Sequence, residues 1–480
     1  MNRPSVTRVG RAILVATAAS VLASSAFAGP FSVGPTYHAP VEAPVALGPA
    51  AAPVTLRQAA PPRWWQAFGD PELDSLIARG LEANLDIRMA LDRVREARAL
   101  FRGSQLDLAP HVTTNGGYTR SREQVPGFYN APVDSEQADL GFNAAWEIDL
   151  FGRVRHQVAA ARADSEAARE DLRNAQVLVV AEIARNYLTL RGAQARRAVA
   201  EENARTAEDT VHLTEVRNDV GTGDPVDLES ARARLDATQA TIPSLRAAES
   251  AAAQRLAVLI GTRPRSLDAE LAAPSPTAAM MAPAAVPIGD ASQFLRRRPD
   301  VRAAERRLAA ETARTGVAVA NFFPQISVTG FVGFLSGDVS ALFKSSASAW
   351  SVSPAVSWPG LDIASTGAQL RAQHARQDEV LAAYQQTVLK AVEDLQDAIV
   401  AYRERQHEVF SLAQEVGAAR RAADLAHIRY KEGRIDFLRV LDAERSRLEA
   451  EDALTQAQTN ADVDVVSIYQ ALGGDLPGVV

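Results

Sequence analysis

Seven histidines, His38, His111, His156, His212, His374, His407 and His427, are the imidazoles of this 480-residue chain, and it has no cysteine. No two of them stand in the four-residue helical register that pairs metal ligands in zinc peptidases. Without thiolates there is no disulfide and no thiolate metal site. The glycines of Gly221-Thr222-Gly223 lack the length and the lysine of a phosphate-binding loop. These absences argue against hydrolase and ATPase chemistry, so no catalytic residue, metal or cofactor is expected. The charge left to explain gathers after two glycines. Asp227 follows Gly221, while Arg434, Arg439 and Asp442 follow Gly433, and Arg217 and Arg429 stand four residues ahead of the two glycines.

Those two places are equivalent, because the chain is built twice. Arg217, Gly221, Asp224, Leu228 and Ala231 return 212 residues later as Arg429, Gly433, Asp436, Val440 and Ala443, and Gly261 returns as Gly473. Asp86, Pro110 and Gly116 return after 214 residues as Asp300, Pro324 and Gly330, and Trp146 after 212 as Trp358. Each unit reads as a helix, two strands, a very long helix, a sharp turn and a returning helix. In this alignment Arg439 occupies the position of Asp227, and Ser230 the position of Asp442.

Residues 1–28 carry Arg3, Arg8 and Arg11, an apolar run from Ala12 to Leu22, and Ala26-Phe27-Ala28, which together read as a secretory signal peptide cleaved before Gly29. The apolar run is shorter than the roughly 20 residues a membrane-crossing helix needs. Removing it takes three basic and no acidic residues, so the formal charge moves from −7 to −10 and nucleic acid is disfavoured as a partner. Export without cysteine fits a bacterial envelope protein and excludes a lipid on an N-terminal cysteine. Residues 29–62 are rich in proline and alanine, and residues 263–291 carry Pro264, Pro274, Pro276, Pro283 and Pro287; both read as extended segments laid over the body. They flank a first repeat at 63–262 and a second at 292–473, with a tail at 474–480.

Four segments alternate with period two. In 139–149, Leu140, Phe142, Ala144, Trp146 and Ile148 share one face; in 350–358, Trp350, Val352, Pro354, Val356 and Trp358 do so. Segments 111–121 and 325–335 supply Val112, Thr114, Gly116 and Tyr118, and Ile326, Val328, Gly330, Val332 and Phe334. The opposite faces are small or acidic, and Trp146, Trp350 and Trp358 sit near strand ends, where membrane-interface aromatics belong. A soluble pair of hairpins is the alternative. If the strands cross a membrane, four cannot close a barrel and an open edge cannot face lipid. The chain must then oligomerise, and a dimer or a trimer would give an even strand number. Residues 120–138 and 336–347 become external loops on this reading.

The remaining helices are long. Residues 152–218 and 364–430 contain no proline, and apolar residues such as Leu172, Val179, Ile183, Tyr187 and Leu190 return at spacings of three and four. At 1.5 Å per residue each spans roughly 100 Å, which implies coiled-coil packing or a helical array. The returning helices are expected at 224–260 and 434–472, with Gly221 and Gly433 capping the turns between.

Several motifs then occur in order: Gly34-Pro35-x-Tyr37-x-x-Pro40, Trp64-Trp65-x-x-Phe68-x-Asp70-Pro71, Trp146-Glu147-x-Asp149-x-Phe151-Gly152, Arg298-Pro299-Asp300-Val301-x-x-Ala304-Glu305 and Ala320-x-x-Phe323-Pro324. With the internal repeat, they make the chain resemble the outer-membrane efflux protein family, the channels of tripartite pumps and of some secretion systems. The branch serving resistance-nodulation-division pumps is the most similar. The resemblance implies a fold that is mostly α with a membrane β-barrel: a homotrimer closing a 12-stranded barrel in outer-membrane lipid, continued by a periplasmic barrel of long antiparallel coiled-coil helices. It implies a Gram-negative outer-membrane location, a periplasmic adaptor and an inner-membrane pump as partners, and small-molecule efflux substrates. By the same resemblance Asp442, Asp227, Arg439 and Arg434 would gate the inner end, and Gly221, Gly433, Arg217 and Arg429 would form the adaptor-docking tip, with carboxylate-guanidinium bonds between helix pairs holding the tips shut. A type I protein secretion channel and a periplasmic coiled-coil scaffold are the competing readings.

Overall fold

A computed structural model describes residues 31–40, 54–55, 61, 63–124, 131–273, 286–287, 294–360 and 362–474. The signal peptide, Gly29, Pro126-Gly127 of the first external loop and tail residues 475–480 lie outside the described residues. The chain divides into two compact units. One comprises residues 1–41, 94–168 and 304–384, the other 42–93, 169–303 and 385–480.

The main elements run α1 (Pro71–Ala83), α2 (Leu85–Leu106), β1 (His111–Glu123), β2 (Val133–Ile148), α3 (Arg153–Asp219), α4 (Pro225–Gln239), α5 (Ile242–Leu259), α6 (Pro299–Ala320), β3 (Gln325–Ser336), β4 (Ser348–Ser357), α7 (Ile363–Lys431) and α8 (Phe437–Ala471). The first unit holds one antiparallel sheet in the order β1-β2-β3-β4, so the hairpins of the two repeats lie side by side through β2 and β3. Among the described residues its outer strands, β1 and β4, each have a strand partner on one side only. Its helices meet on alanine: Ala163, Ala309 and Ala310 are buried together against Tyr37, which lets long helices approach closely.

The second unit contains the largest fully buried side chains, among them Leu73, Ile77, Ile183, Tyr187, Leu256 and Tyr469. Two of the sequence motifs lie in its core. Trp64 stacks on Tyr469 at 5.0 Å, and the buried Asp70, which caps α1 through the Glu72 N–H, accepts a 2.6 Å hydrogen bond from the Tyr187 hydroxyl. Burial, followed by that bond, pushes the Tyr187 hydroxyl well above its ordinary pKa, so it stays a donor. Arg298, also buried, makes a fork onto Asp300 and reaches Asp394, with Nη1 donating to the Ala471 carbonyl at 3.0 Å.

Four boundaries differ from the sequence reading. The first returning helix is two helices, α4 and α5, because Pro243 has no N–H to donate and its ring clashes with the carbonyl four residues back. Thr455 holds the equivalent position in the second copy, and α8 runs unbroken. Phe437, rather than Arg434, starts α8, since Asp436 caps it by accepting from the Arg439 N–H. The first external loop is shorter than 120–138: the β1–β2 ladder continues to Glu123↔Val133 beneath the pairs Arg120–Glu136 and Arg122–Asp134, whose polarity hides the strand period. At the other hairpin, β4 starts at Ser348 and stops at Ser357, leaving Trp358 just outside it. Of the two extended segments, Val54–Thr55 pairs in parallel with Val286–Pro287, so they meet each other.

Candidate functional site: a sheet face and two hairpin tips

Register carries the apolar face across all four strands. Thr114, Phe142, Val332 and Trp350 lie in one row, and Val112, Ala144, Gly330 and Val352 in the next. In the single chain this face is open: Val112, Phe142, Val332, Trp350, Val352 and Val356 are all exposed, Trp350 at 78%. The opposite face carries Thr113, Asn143, Phe331 and Ser351 in the corresponding row, with Asp139 and Glu147 farther along β2. A sheet with a large exposed apolar face and, Phe331 and Leu335 apart, mainly small or polar residues on the other suits lipid on one side and water on the other.

The three tryptophans fall at both ends of this sheet. Trp350 is near the start of β4, whereas Trp146 and Trp358 are at the strand ends that lead into α3 and α7. The last two are repeat-equivalent and make equivalent bonds: Trp146 Nε1 donates to the Leu108 carbonyl at 3.1 Å, and Trp358 Nε1 to the Phe322 carbonyl at 3.0 Å. Each indole thereby ties the end of the hairpin's second strand to the turn that leads into its first.

The motif following Trp146 forms the joint from strand to helix. Glu147 pairs with Arg153, and Asp149 accepts from the Arg155 backbone N–H at 2.9 Å and from its guanidinium at 3.1 Å, capping the start of α3. The Glu147 bond raises the Arg153 pKa and outweighs the burial that would lower it. Phe151 stacks on Phe323 at 4.9 Å, and Tyr37 donates to Glu305 at 2.8 Å. These residues position the sheet on its helices.

The two tips close in the same way. Gly221 and Gly433 adopt φ of 74° and 70°, and the next residue's N–H returns five residues to the carbonyl of Arg217 or Arg429, at 2.9 Å in both. Side chains of α3, α4, α7 and α8 then share one apolar cluster, Val211, Leu228, Ala231, Ala426, Phe437 and Val440, so both tips belong to one packed body. The Arg217 guanidinium lies 4.6 Å from the centre of the Tyr430 ring, a cation-aromatic contact from one hairpin to the other. Arg217 therefore has an internal task, while Arg429 stands exposed.

The charged candidates separate into two groups. Asp227 is half-buried; burial first, then the carboxylates of Asp224 and Asp436, raise its pKa against the pull of Arg217. Asp442, Arg434 and Arg439 are exposed. Within the single chain these charges pair locally. Asp442 takes Arg445 at 2.6 Å, because the two lie one turn apart on α8, and Arg434 takes Glu432 at 3.2 Å.

The same architecture and the same sequence pattern recur in known proteins. The model of the family described as outer membrane efflux protein matches residues 76–262 and again 291–474, more than half of the chain. The chain belongs to the outer membrane efflux protein family. An antibiotic efflux pump outer membrane protein of Pseudomonas putida, ArpC, is 33% identical over 465 residues, covering 94% of each chain. Among solved structures, the outer-membrane channel OprN is 44% identical with a TM-score of 0.88, over 92% of this chain and 99% of its own. The open state of the Neisseria gonorrhoeae channel MtrE is 28% identical with a TM-score of 0.82, over 93% and 98%. The chain is accordingly an outer-membrane component of an efflux system, with the mostly helical, β-barrel-bearing fold of these trimeric channels.

Within this efflux-family member, two features of the tips were not singled out in the sequence. Arg445, the partner of Asp442, is marked only by three-residue spacing on a helix. Glu444 is buried on the stripe of Phe437 and Val440, where a carboxylate breaks an apolar run; that break is the signal.

Proposed function

We propose that this chain is the passive exit duct of a tripartite efflux pump. Three copies join edge to edge, β1 of one against β4 of the next, and close a 12-stranded barrel in outer-membrane lipid, with Trp146, Trp350 and Trp358 at its interfaces. Small toxic molecules delivered by an inner-membrane pump leave through it. The observation that carries the reading is the exposed apolar face spanning a four-stranded sheet whose two edges lack partners among the described residues. An edge of that kind is tolerated in lipid only if another copy pairs with it. The efflux names of the relatives favour small molecules over secreted protein, and the open state recorded for MtrE supports a gated duct. In this reading Gly221, Gly433, Arg217 and Arg429 shape the turns a periplasmic adaptor docks on, and Asp227, Asp442, Arg434 and Arg439 contribute to a constriction at the tips.

Two adjacent residues of β4 test the lipid face. Val352 is on the apolar face and Ser353 on the other. Val352→Arg should cost about 2–4 kcal/mol near the bilayer midplane and sharply lower recovery of oligomer from outer membranes, whereas Ser353→Arg should leave recovery near normal. Equal recovery of the two variants would contradict the assignment of faces.

A further inference from the structure

On β1 the side that carries Val112, Thr114, Gly116 and Tyr118 continues through Arg120 and Arg122, opposite Glu136 and Asp134 of β2. The two repeats part company here. Tyr118, Arg120 and Arg122 correspond, 214 residues on, to Val332, Phe334 and Ser336, so one hairpin ends its exposed face on guanidinium groups and the other on a phenyl ring. The cross-strand pairs leave both arginines open. Arg120 Nε lies 3.6 Å from Glu136 Oε1 and Arg122 Nε 3.9 Å from Asp134 Oδ1, wider than a hydrogen bond, and the arginine side chains are 66% and 71% exposed. Exposed pairs of this kind contribute little, and the planar guanidinium fork matches a phosphate group.

The turn between β3 and β4 adds a lysine and another ring. It holds two short 3-10 turns, Val339–Ala341 and Ser345–Ala347, and Asp338 caps the first by accepting from the Ser340 N–H at 2.8 Å and from its hydroxyl at 2.9 Å. Phe343 then lies edge-on to Phe334 of the apolar face at 6.0 Å and is still 74% exposed, with Lys344 exposed beside it. A ring left open on an ordered turn, level with Tyr118 and Trp350 at the same end of the sheet, suits the border between lipid and water. Depth agrees with this. Residues on one strand face are about 7 Å apart, so with the tilt of a barrel strand Arg120 and Arg122 stand roughly 5 and 10 Å beyond Tyr118. The headgroup layer outside the hydrocarbon core is roughly 5–8 Å deep on each side, which places Arg120 within it and Arg122 at its rim.

We infer that Arg120, Arg122 and Lys344 bind the phosphate of an outer-leaflet lipid headgroup, with Tyr118, Phe343 and Trp350 against its acyl chains. The inference rests on the reading of the sheet as part of a membrane barrel. Within one chain β1 and β4 are opposite edges of the sheet, so Lys344 is remote from the two arginines. In edge-to-edge closure the outer end of β1 meets the turn that leads into β4 of the next copy, and Lys344 of that copy joins Arg120 and Arg122. The site is complete only at a seam, and a trimer has three. Each contact between a guanidinium or ammonium group and a phosphate oxygen is charge-assisted, about twice as strong as a bond between neutral groups.

Native mass spectrometry of the full-length trimer, purified in detergent and mixed with diphosphoryl lipid A or with the same lipid stripped of its phosphates, tests the site. The trimer should retain up to three phosphorylated lipids, with about a tenfold preference over the stripped form. Arg120→Gln combined with Arg122→Gln should remove that preference, whereas Glu136→Gln, which frees Arg120, should strengthen it. Equal retention of the two lipids would overturn the inference and leave the duct standing. So would a loss on Glu136→Gln as large as that of the arginine variant, because the pairs would then only staple the hairpin. Displacement of the lipid by inorganic phosphate at the same concentration would mark a site for free anions and overturn it too. A chain that forms no trimer would overturn both the site and the duct.

Discussion

Replacing Asp442 with alanine, alone and together with Asp227, is expected to raise single-channel conductance in planar bilayers and to admit larger antibiotics into cells that lack the pump. Asp442 is exposed in the single chain and pairs with the exposed Arg445 of its own helix, so it is available to neighbours around a three-fold axis. Exposed ion contacts are worth up to about 1 kcal/mol each, and three chains changing together add to about 3 kcal/mol, on the order of a hundredfold in the ratio of closed to open tips. Asp227 enters differently. Its carboxylate is half-buried beside Asp224 and Asp436 and is countered by Arg217, which in turn rests on Tyr430. Because its pKa is raised, the charged form is the strained one; the strain is present above that pKa and relieved as pH falls through it. Asp227→Ala alone should therefore disturb the contact between hairpins less than Asp442→Ala disturbs the axis. Unchanged conductance in a double variant that still forms trimers would move the gate to the apolar residues nearby, first to the exposed Leu438.

Arg298→Ala should have the largest effect on stability. Arg298 is 8% exposed and joins the start of α6 to α7 and α8 through Asp300, Asp394 and the Ala471 carbonyl. Burial lowers its pKa, but the two carboxylates outweigh it and keep the guanidinium charged. Removing the buried guanidinium leaves the Ala471 carbonyl without its bond, while the partly exposed Asp300 and the exposed Asp394 turn to water, at a cost of roughly 1–3 kcal/mol. Thermal unfolding of the purified oligomer should shift markedly downward, with Arg298→Lys recovering only part because an ammonium cannot make the two-pronged contact. A shift no larger than that of a surface substitution would show that the cluster does not hold these helices.

The parts of this molecule that repeat or alternate were legible in the sequence. A period of two marked the strands, unbroken spacings of three and four marked α3 and α7, and glycines with positive φ marked both turns. What escaped depended on contacts between distant segments. Pro243 was visible, yet its break was masked by the returning pattern around it. The outer part of the β1–β2 hairpin is held by cross-strand pairs such as Arg120–Glu136, which carry no apolar period. Arg298 stood out as a motif, but its task requires α7 and α8 to be folded against it. The pairing of β2 with β3, which merges the two repeats into one sheet, leaves no trace in either strand alone. At the tips the residue types were readable and their partners were not: Asp442 chooses Arg445, and Arg217 lies over Tyr430.

In the proposed duct the two edge strands, β1 and β4, close against other copies of the same chain. Native mass spectrometry of the mature protein, released from detergent in the spectrometer, measures this directly. The expected mass is that of three chains, giving twelve strands; a monomer that keeps its fold would contradict the barrel, and a dimer would contradict the proposed three-fold duct.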